Sequence, residues 1–293
     1  MSRGAIRLIE ASYDSGHRLA RMGAGPAALI RSGLVQAIES SGAESRHVPV
    51  ELEPGFHAEI AAAFELQRAV AREVRQAVAA GEFPLVLGGN CNTGSVGGAA
   101  GLSAPDLGVL WFDAHADGET PETTTSGFLD GMGLTMLQGR AWMAKLGRLE
   151  GFRPIPGPRI LLIGARDVGD AEAANLDGWG VRRLAVQDIR RGHASIDAGL
   201  SALAAAGVRR LLIHVDADVH DPDAVAPANG YAVQDGLLPD EVTGIIGAAA
   251  RAFPVALASL ASFDPSFDRD NRVSNVMSRL AVQLVELGTV EAR

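Results

Sequence analysis

Short apolar runs alternate with longer amphipathic stretches along almost the whole chain, and this alternation limits the fold more than any other feature. The strand candidates are AIRLIEA (5–11), FPLVLGG (83–89), LGVLWFDA (107–114), RILLIGA (159–165), VRRLAV (181–186), RRLLIHVD (209–216) and VALASLASF (255–263). Several are apolar at successive positions, as strands covered on both faces must be. Helical patterning fills 26–40, 57–80, 127–147, 170–178, 195–206, 238–252 and 272–287. Strands alternating with helices predict βαβ units and a parallel sheet. The 293 residues, 47% of them hydrophobic, suffice for one large core, so a single domain over 1–293 is expected. RPIPGPR (153–159) reads as a surface connection, because the alternation continues beyond it.

The formal net charge of −9 argues against nucleic acid as a partner, since phosphate binding needs a basic face. One cysteine, Cys91, rules out an intrachain disulfide and is compatible with a reducing compartment. The first residues carry no signal-peptide pattern, and no apolar run reaches membrane-spanning length. A soluble cytoplasmic protein acting on a small molecule, with no membrane partner, is the expectation.

In a parallel sheet, ligands sit outside the carboxyl ends of the strands. Here the strand ends read Asn90-Cys91-Asn92, Asp113-Ala114-His115-Ala116-Asp117, Arg166-Asp167, Asp216-Ala217-Asp218 and Asp264-Pro265. Four aspartates and a histidine on two strand ends would repel one another if left bare. Like charges about 4 Å apart cost on the order of 4 kcal/mol even at an effective dielectric near 20. A divalent cation, or two, removes that penalty, and oxygen-rich ligation with one imidazole suits Mn²⁺ better than a structural zinc site. Asp and His at strand ends also serve as turn formers and caps, but two such clusters after two apolar runs favour metal.

DAHAD (113–117) with VDADVHDP (215–222) resembles the arginase/agmatinase (ureohydrolase) family, whose motifs are DAHxD and DxDxxDP. GAGPAALIRSGL (23–34) is similar to that family's N-terminal glycine-proline helix start, and LVLGGNCN stands in the place of its GGDHS. TPETTTSGFLDGM (120–132) is similar to the substrate loop TPLTTTSGNLHG, and IGARDVGDAE (163–172) to the segment facing the substrate's amino-acid end. The resemblance implies a three-layer α/β/α fold around a parallel sheet of about eight strands, and a site for two Mn²⁺ ions. It also implies hydrolysis of a guanidine or amidine C–N bond by a metal-bound hydroxide. Asp113 and Asp216 would bridge the metals, Asp117 would complete the first site and hold the hydroxide, and His115 and Asp218 would hold the second metal. Trimers or hexamers are the assembly implied.

Three substitutions depart from the pattern. Cys91 replaces a metal-ligating histidine: a thiolate could ligate, or Cys91 could be an inert buried residue beside a single metal. Asp130 replaces the proton-shuttling histidine, a role open to a carboxylate only if its pKa rises towards neutrality; a helix cap or a solvated loop residue is the other reading. Ser262 replaces the glutamate that pairs with the guanidinium, and a hydroxyl cannot supply that charge-assisted pairing. Asp264 or Glu119 could compensate. The family's branch acting on N-hydroxylated arginine also carries the cysteine and lacks the histidine. Thr124 and Ser126 match carboxylate-binding hydroxyls, and Glu172 an acid near the α-amino group, though its usual aspartate partner is Gly169.

The expected function is therefore metal-dependent hydrolysis of a guanidino, N-hydroxyguanidino or related amidine. The alternatives are a linear-amide hydrolase of the same fold and a catalytically silent homologue. His214, inside an apolar strand, is expected to be a core residue, and His220 a neighbour of the metals. His17, His47, His57 and His193 lie in polar stretches and carry no functional signal.

Overall fold

The structure, a computed structural model, describes residues 4–55, 57–192 and 194–288; His193 lies outside the described residues. Eight strands form one parallel sheet: β1 (Ala5–Ala11), β2 (Glu44–Pro49), β3 (Glu82–Gly88), β4 (Leu107–Phe112), β5 (Ile160–Ile163), β6 (Arg182–Leu184), β7 (Arg210–Asp216) and β8 (Val255–Ala261). Their order across the sheet is β2-β1-β3-β8-β7-β4-β5-β6, with every pair parallel.

The helices that cover the sheet include α1 (Glu59–Ala80), α2 (Cys91–Leu102), α3 (Asp170–Trp179), α4 (Ala194–Ala205), α5 (Pro239–Ala252) and α6 (Arg272–Leu287). Alternating side chains of each strand feed two separate cores. Leu8, Leu110 and Phe112 pack on one face with Ile246 of α5 and Leu280 of α6. Ile9, Val109 and Trp111 pack on the other with Phe64 and Val70 of α1 and Val96 of α2. Burying each large apolar side chain contributes roughly 1.5–3 kcal/mol, so a strand buried on both faces, such as β4, is held firmly. The parallel sheet expected from the alternation and the three-layer arrangement implied by the resemblance are both observed.

Three local expectations differ. β2 was not among the strand candidates, because ESRHVP carries an edge pattern: Glu44, Arg46 and His47 are exposed on the outermost strand, where charge discourages further pairing. The helix α2 has no amphipathic contrast in CNTGSVGGAAGL, since it is buried on almost every side. The helical pattern over 127–147 breaks into 3₁₀ and short helical turns, with Gly131, Gly133 and Gly139 lowering helix propensity along it.

Candidate active site

The four central strands, β3, β8, β7 and β4, end side by side, and the polar residues that follow them share one cavity. Close packing at Gly89, before α2, and at Gly94, within it against β8, seats the start of that helix. A Cβ at Gly89 would lie 2.1 Å from the Tyr13 carbonyl oxygen, and one at Gly94 2.1 Å from Ser259 Oγ. No side chain fits at either position, and Cys91 is thereby lowered onto the ends of β7 and β8. At the end of β7, Asp216 Oδ1 accepts from the Asp218 backbone N–H (2.8 Å), which caps the 3₁₀ turn that carries Asp218.

Asp113 is the centre of the cluster. Its Oδ1 accepts from the His115 N–H (2.8 Å) and its Oδ2 from the Trp111 indole (2.9 Å). His115 Nδ1 lies 3.4 Å from both Asp113 Oδ1 and Asp218 Oδ2. Asp218 also accepts from the Ala114 N–H and from Asn229 Nδ2, each at 3.2 Å. The Cys91 thiol donates to Asp216 Oδ2 (2.9 Å) and lies 3.2 Å from Ser262 Oγ. Two sets of ligand-type atoms each converge within 4.8 Å: Cys91, Asp113 and Asp117, and Asp113, His115 and Asp218. Asp113 belongs to both. Asp216 reaches the cluster through Cys91. Asp117 and Ser262 have φ of +46° and +63°, a left-handed backbone that non-glycine residues rarely adopt and that strained functional positions often show.

Charge in this cluster is unbalanced. Burial and the neighbouring carboxylates push the acids Asp117 and Asp216 well above the usual carboxylate range, and burial pushes up Asp113. Burial also raises Asp218, but hydrogen bonds and charge from His115 overcome it and hold the group at about 2. Burial alone would lower His115; its hydrogen bonds to Asp113 and Asp218 carry it up to about 12 instead. Burial, followed by the charge of Asp216, pushes the Cys91 thiol well up. One imidazole faces four buried aspartates, and Asp117 Oδ2 is buried without a hydrogen-bond partner. A carboxylate oxygen left unpaired among like charges, in a cluster whose two convergent sets add a thiol and an imidazole, is the arrangement a divalent cation satisfies. The residues fit such a group.

The cavity over the cluster has a volume of about 340 Å³, and Cys91, His115, Asp117, Asp130, Glu172, Asp216, Asp218, Ser126 and Ser262 of the expected residues line it. Thr124 is not among the lining residues. Its Oγ1 accepts from the Gly127 N–H (3.1 Å), while Ser126 Oγ accepts from the Phe128 N–H (3.1 Å), so both hydroxyls brace their own loop. Glu172 accepts from the Gly118 and Gly169 N–H groups (3.1 and 3.0 Å).

Asp130 is tied down more completely. Its Oδ2 accepts from Asn90 Nδ2 and the Cys91 N–H (3.0 and 3.1 Å), and its Oδ1 from the Asn92 N–H and Asn92 Nδ2 (3.0 and 2.9 Å). Burial lifts its carboxyl to about 6 against the pull of those donors. His214 is a core residue, with Nδ1 3.2 Å from Ser259 Oγ and its ring centroid 4.1 Å from that of Trp111. His220 is buried beneath the site, donating from Nδ1 to the Ala217 carbonyl (3.1 Å), and does not line the cavity.

The sequence reading missed Asn229, Phe128 and Tyr231, all of which line the cavity. Asn229 links Asp218 to the Ser262 carbonyl, and its Oδ1 accepts from the Tyr231 N–H. Nothing in ANGY marks it. Phe128 departs visibly from the loop pattern SGNLHG, and that departure was the available signal.

The sequence model of the arginase family matches residues 5–286. The chain belongs to the arginase family. The resemblance read from DAHAD and VDADVHDP thus extends over nearly the whole length. Among arginase-family relatives, the N(omega)-hydroxy-L-arginine amidinohydrolase of Streptomyces lavendulae is 34% identical over 179 residues, a match spanning 60% of each chain. The arginase of Bacillus caldovelox is 27% identical over 92% of this chain and 94% of its own. The crystal structure of arginase from Bacillus subtilis superposes with a TM-score of 0.86 at 25% identity, covering 96% of this chain and 98% of that one. The arginase fold, with its central parallel sheet of eight strands, is therefore the fold of this chain. Among the described residues, no helix is long and apolar enough to cross a membrane.

Proposed function

We propose that this arginase-family chain is a divalent-metal-dependent hydrolase of a small molecule. It would cleave the C–N bond of an N-hydroxyguanidino, amidine or related trigonal group. The observation that carries this reading is the convergence of Asp113, His115, Asp117, Asp218 and Cys91 under a 340 Å³ cavity, with Asp117 Oδ2 left unpaired. These five residues and Asp216 would hold the metal, with Mn²⁺ the family's usual ion and Cys91 a softer ligand than the histidine it replaces. When bound, such ions act as Lewis acids and lower the pKa of water towards neutrality.

The chain's own residues do the rest. Asp117 lines the cavity and would be the acceptor for a proton leaving an attacking water. Where a guanidinium would need a carboxylate pair, Ser262 offers a hydroxyl, its Oγ 3.2 Å from Cys91 Sγ. An uncharged hydroxyl there favours a reacting group with less positive charge, as an N-hydroxyguanidine, amidine or amide has. Asp130 serves as the acceptor for the start of α2. Its four donors fill both oxygens, so it positions Asn90, Cys91 and Asn92 and does not relay protons.

The test is metal analysis of purified protein with a turnover screen over N-hydroxyguanidino, guanidino and amide compounds in Mn²⁺. Metal uptake with release of a C–N cleavage product, both lost in Asp117→Asn, is the expected result. Protein that binds no added Mn²⁺, or turnover that survives Asp117→Asn, overturns the reading. The first outcome leaves a silent, ligand-binding homologue.

A further inference from the structure

The mouth of the cavity has a chemistry distinct from its floor. The rings of Phe128 and Tyr231 stack there, with centroids 5.9 Å apart and planes 25° from parallel. Tyr231 is 50% exposed, so this pair presents aromatic surface to whatever enters. Both rings hang from fixed backbone: the Phe128 N–H is held by Ser126 Oγ and the Tyr231 N–H by Asn229 Oδ1. Asn229 is itself bonded to Asp218, so the pair is in register with the floor.

Glu119, Asp167 and Glu172 complete the wall, and among the described residues no arginine or lysine lines the cavity. Arg166 lies beside the aspartates, but its guanidinium donates to the carbonyls of Asp218, Val233 and Gln234. It is therefore not free to meet a ligand's carboxylate. An anionic tail entering this mouth would meet three acids and the faces of two rings, with no arginine or lysine in the lining to pair with it. An ammonium would be stabilised by both, through charge and through cation–π contact.

We infer that Phe128 and Tyr231 form a cation-recognising rim, and that the substrate's far end is an amine or other organic cation without a carboxylate. This inference rests on the reading of the floor as a hydrolytic site. It adds a specificity element that no motif in the sequence marks.

Mn²⁺-loaded protein is titrated by calorimetry with choline and with its uncharged isostere 3,3-dimethylbutan-1-ol, which share shape and differ in charge. Choline should bind at least about 5-fold tighter, a cation–π contribution of about 1 kcal/mol. Phe128→Asn and Tyr231→Ala should each reduce that preference, with the folded state of both variants checked by thermal unfolding. Equal affinity for the two compounds, or a preference untouched in both variants, overturns the rim. The same preparation is assayed on 4-(N′-hydroxyguanidino)butylamine and 4-(N′-hydroxyguanidino)butyrate, which differ only at the far end. Faster turnover of the amine supports the assignment, and faster turnover of the carboxylate overturns the substrate class. If the choline preference holds while no substrate of any class is turned over, the hydrolytic reading falls and the rim stands.

Discussion

The Trp111 indole donates a 2.9 Å hydrogen bond to Oδ2 of Asp113, two residues further along the same strand end. With the His115 N–H on Oδ1, the two oxygens of Asp113 are held by separate donors from the same strand end. Trp111 therefore sets the orientation of the carboxylate shared by both convergent sets. Trp111→Phe keeps an aromatic ring against His214 and removes the donor. Mn²⁺ affinity should fall about 10-fold or more, the usual cost of losing a hydrogen bond behind a ligand. Calorimetric titration of folded wild type and variant checks this; equal affinities would leave Trp111 a packing residue only.

Asp130 is expected to act through structure. Asp130→Ala leaves four buried donors unsatisfied and should cost about 3–5 kcal/mol of stability. Asp130→Asn keeps one acceptor oxygen and should cost less, with turnover falling in step with stability. Denaturant unfolding beside initial rates decides the matter. A variant with wild-type stability and a collapsed kcat would restore the proton-relay role.

Asp117→Asn should trade function for stability. Neutralising the unpaired Oδ2 relieves repulsion among the buried acids, so the chelator-treated protein should be more stable by about 1–2 kcal/mol. Added Mn²⁺ should then raise its melting temperature much less than that of wild type. Thermal unfolding with chelator and with Mn²⁺ measures both effects, and a chelated variant less stable than wild type would contradict the first.

His214 makes stability depend on pH in a definite direction. Burial lowers its pKa from 6.5 to about 3, so the folded chain keeps it neutral where the unfolded chain protonates it. Above pH 6.5 the group contributes nothing. As pH falls towards about 3, protonation of the unfolded state costs the fold about 1.4 kcal/mol per pH unit. His214→Gln removes this dependence, so the stability difference between wild type and variant should shift by that amount per unit between pH 6 and 4. Urea unfolding across that range tests it; a difference independent of pH would show that His214 titrates alike in both states. His220, lowered to about 4 chiefly by burial, acts in the same sense and is left intact in both proteins.

Seven of the eight sheet strands were legible, six of them because a strand buried on both faces must be apolar at successive positions; β6, at one edge, was legible from Val181, Leu184 and Val186 around its exposed arginines. β2 was not, because an edge strand has one protected face and carries Glu44, Arg46 and His47 outward. The acids of the site were legible for a related reason. Asp113, His115 and Asp117 follow an uninterrupted apolar run, and polar residues there have nowhere to go but the carboxyl edge of the sheet.

Asp130 was legible as an acid in a loop, but its partners were not. The donors that saturate it belong to Asn90, Cys91 and Asn92, on a different strand end. Thr124 kept its place in the loop pattern, yet its hydroxyl turns back onto Gly127. By itself the chain's order of residues determined the layers, the strand ends that carry acid, and the family, because burial acts locally and leaves a periodic trace. Only the tertiary structure decided which carboxylate remains unpaired, which one caps a helix, and that Phe128 meets Tyr231 at the mouth. Those outcomes depend on contacts between distant segments, whose geometry no spacing along the chain records.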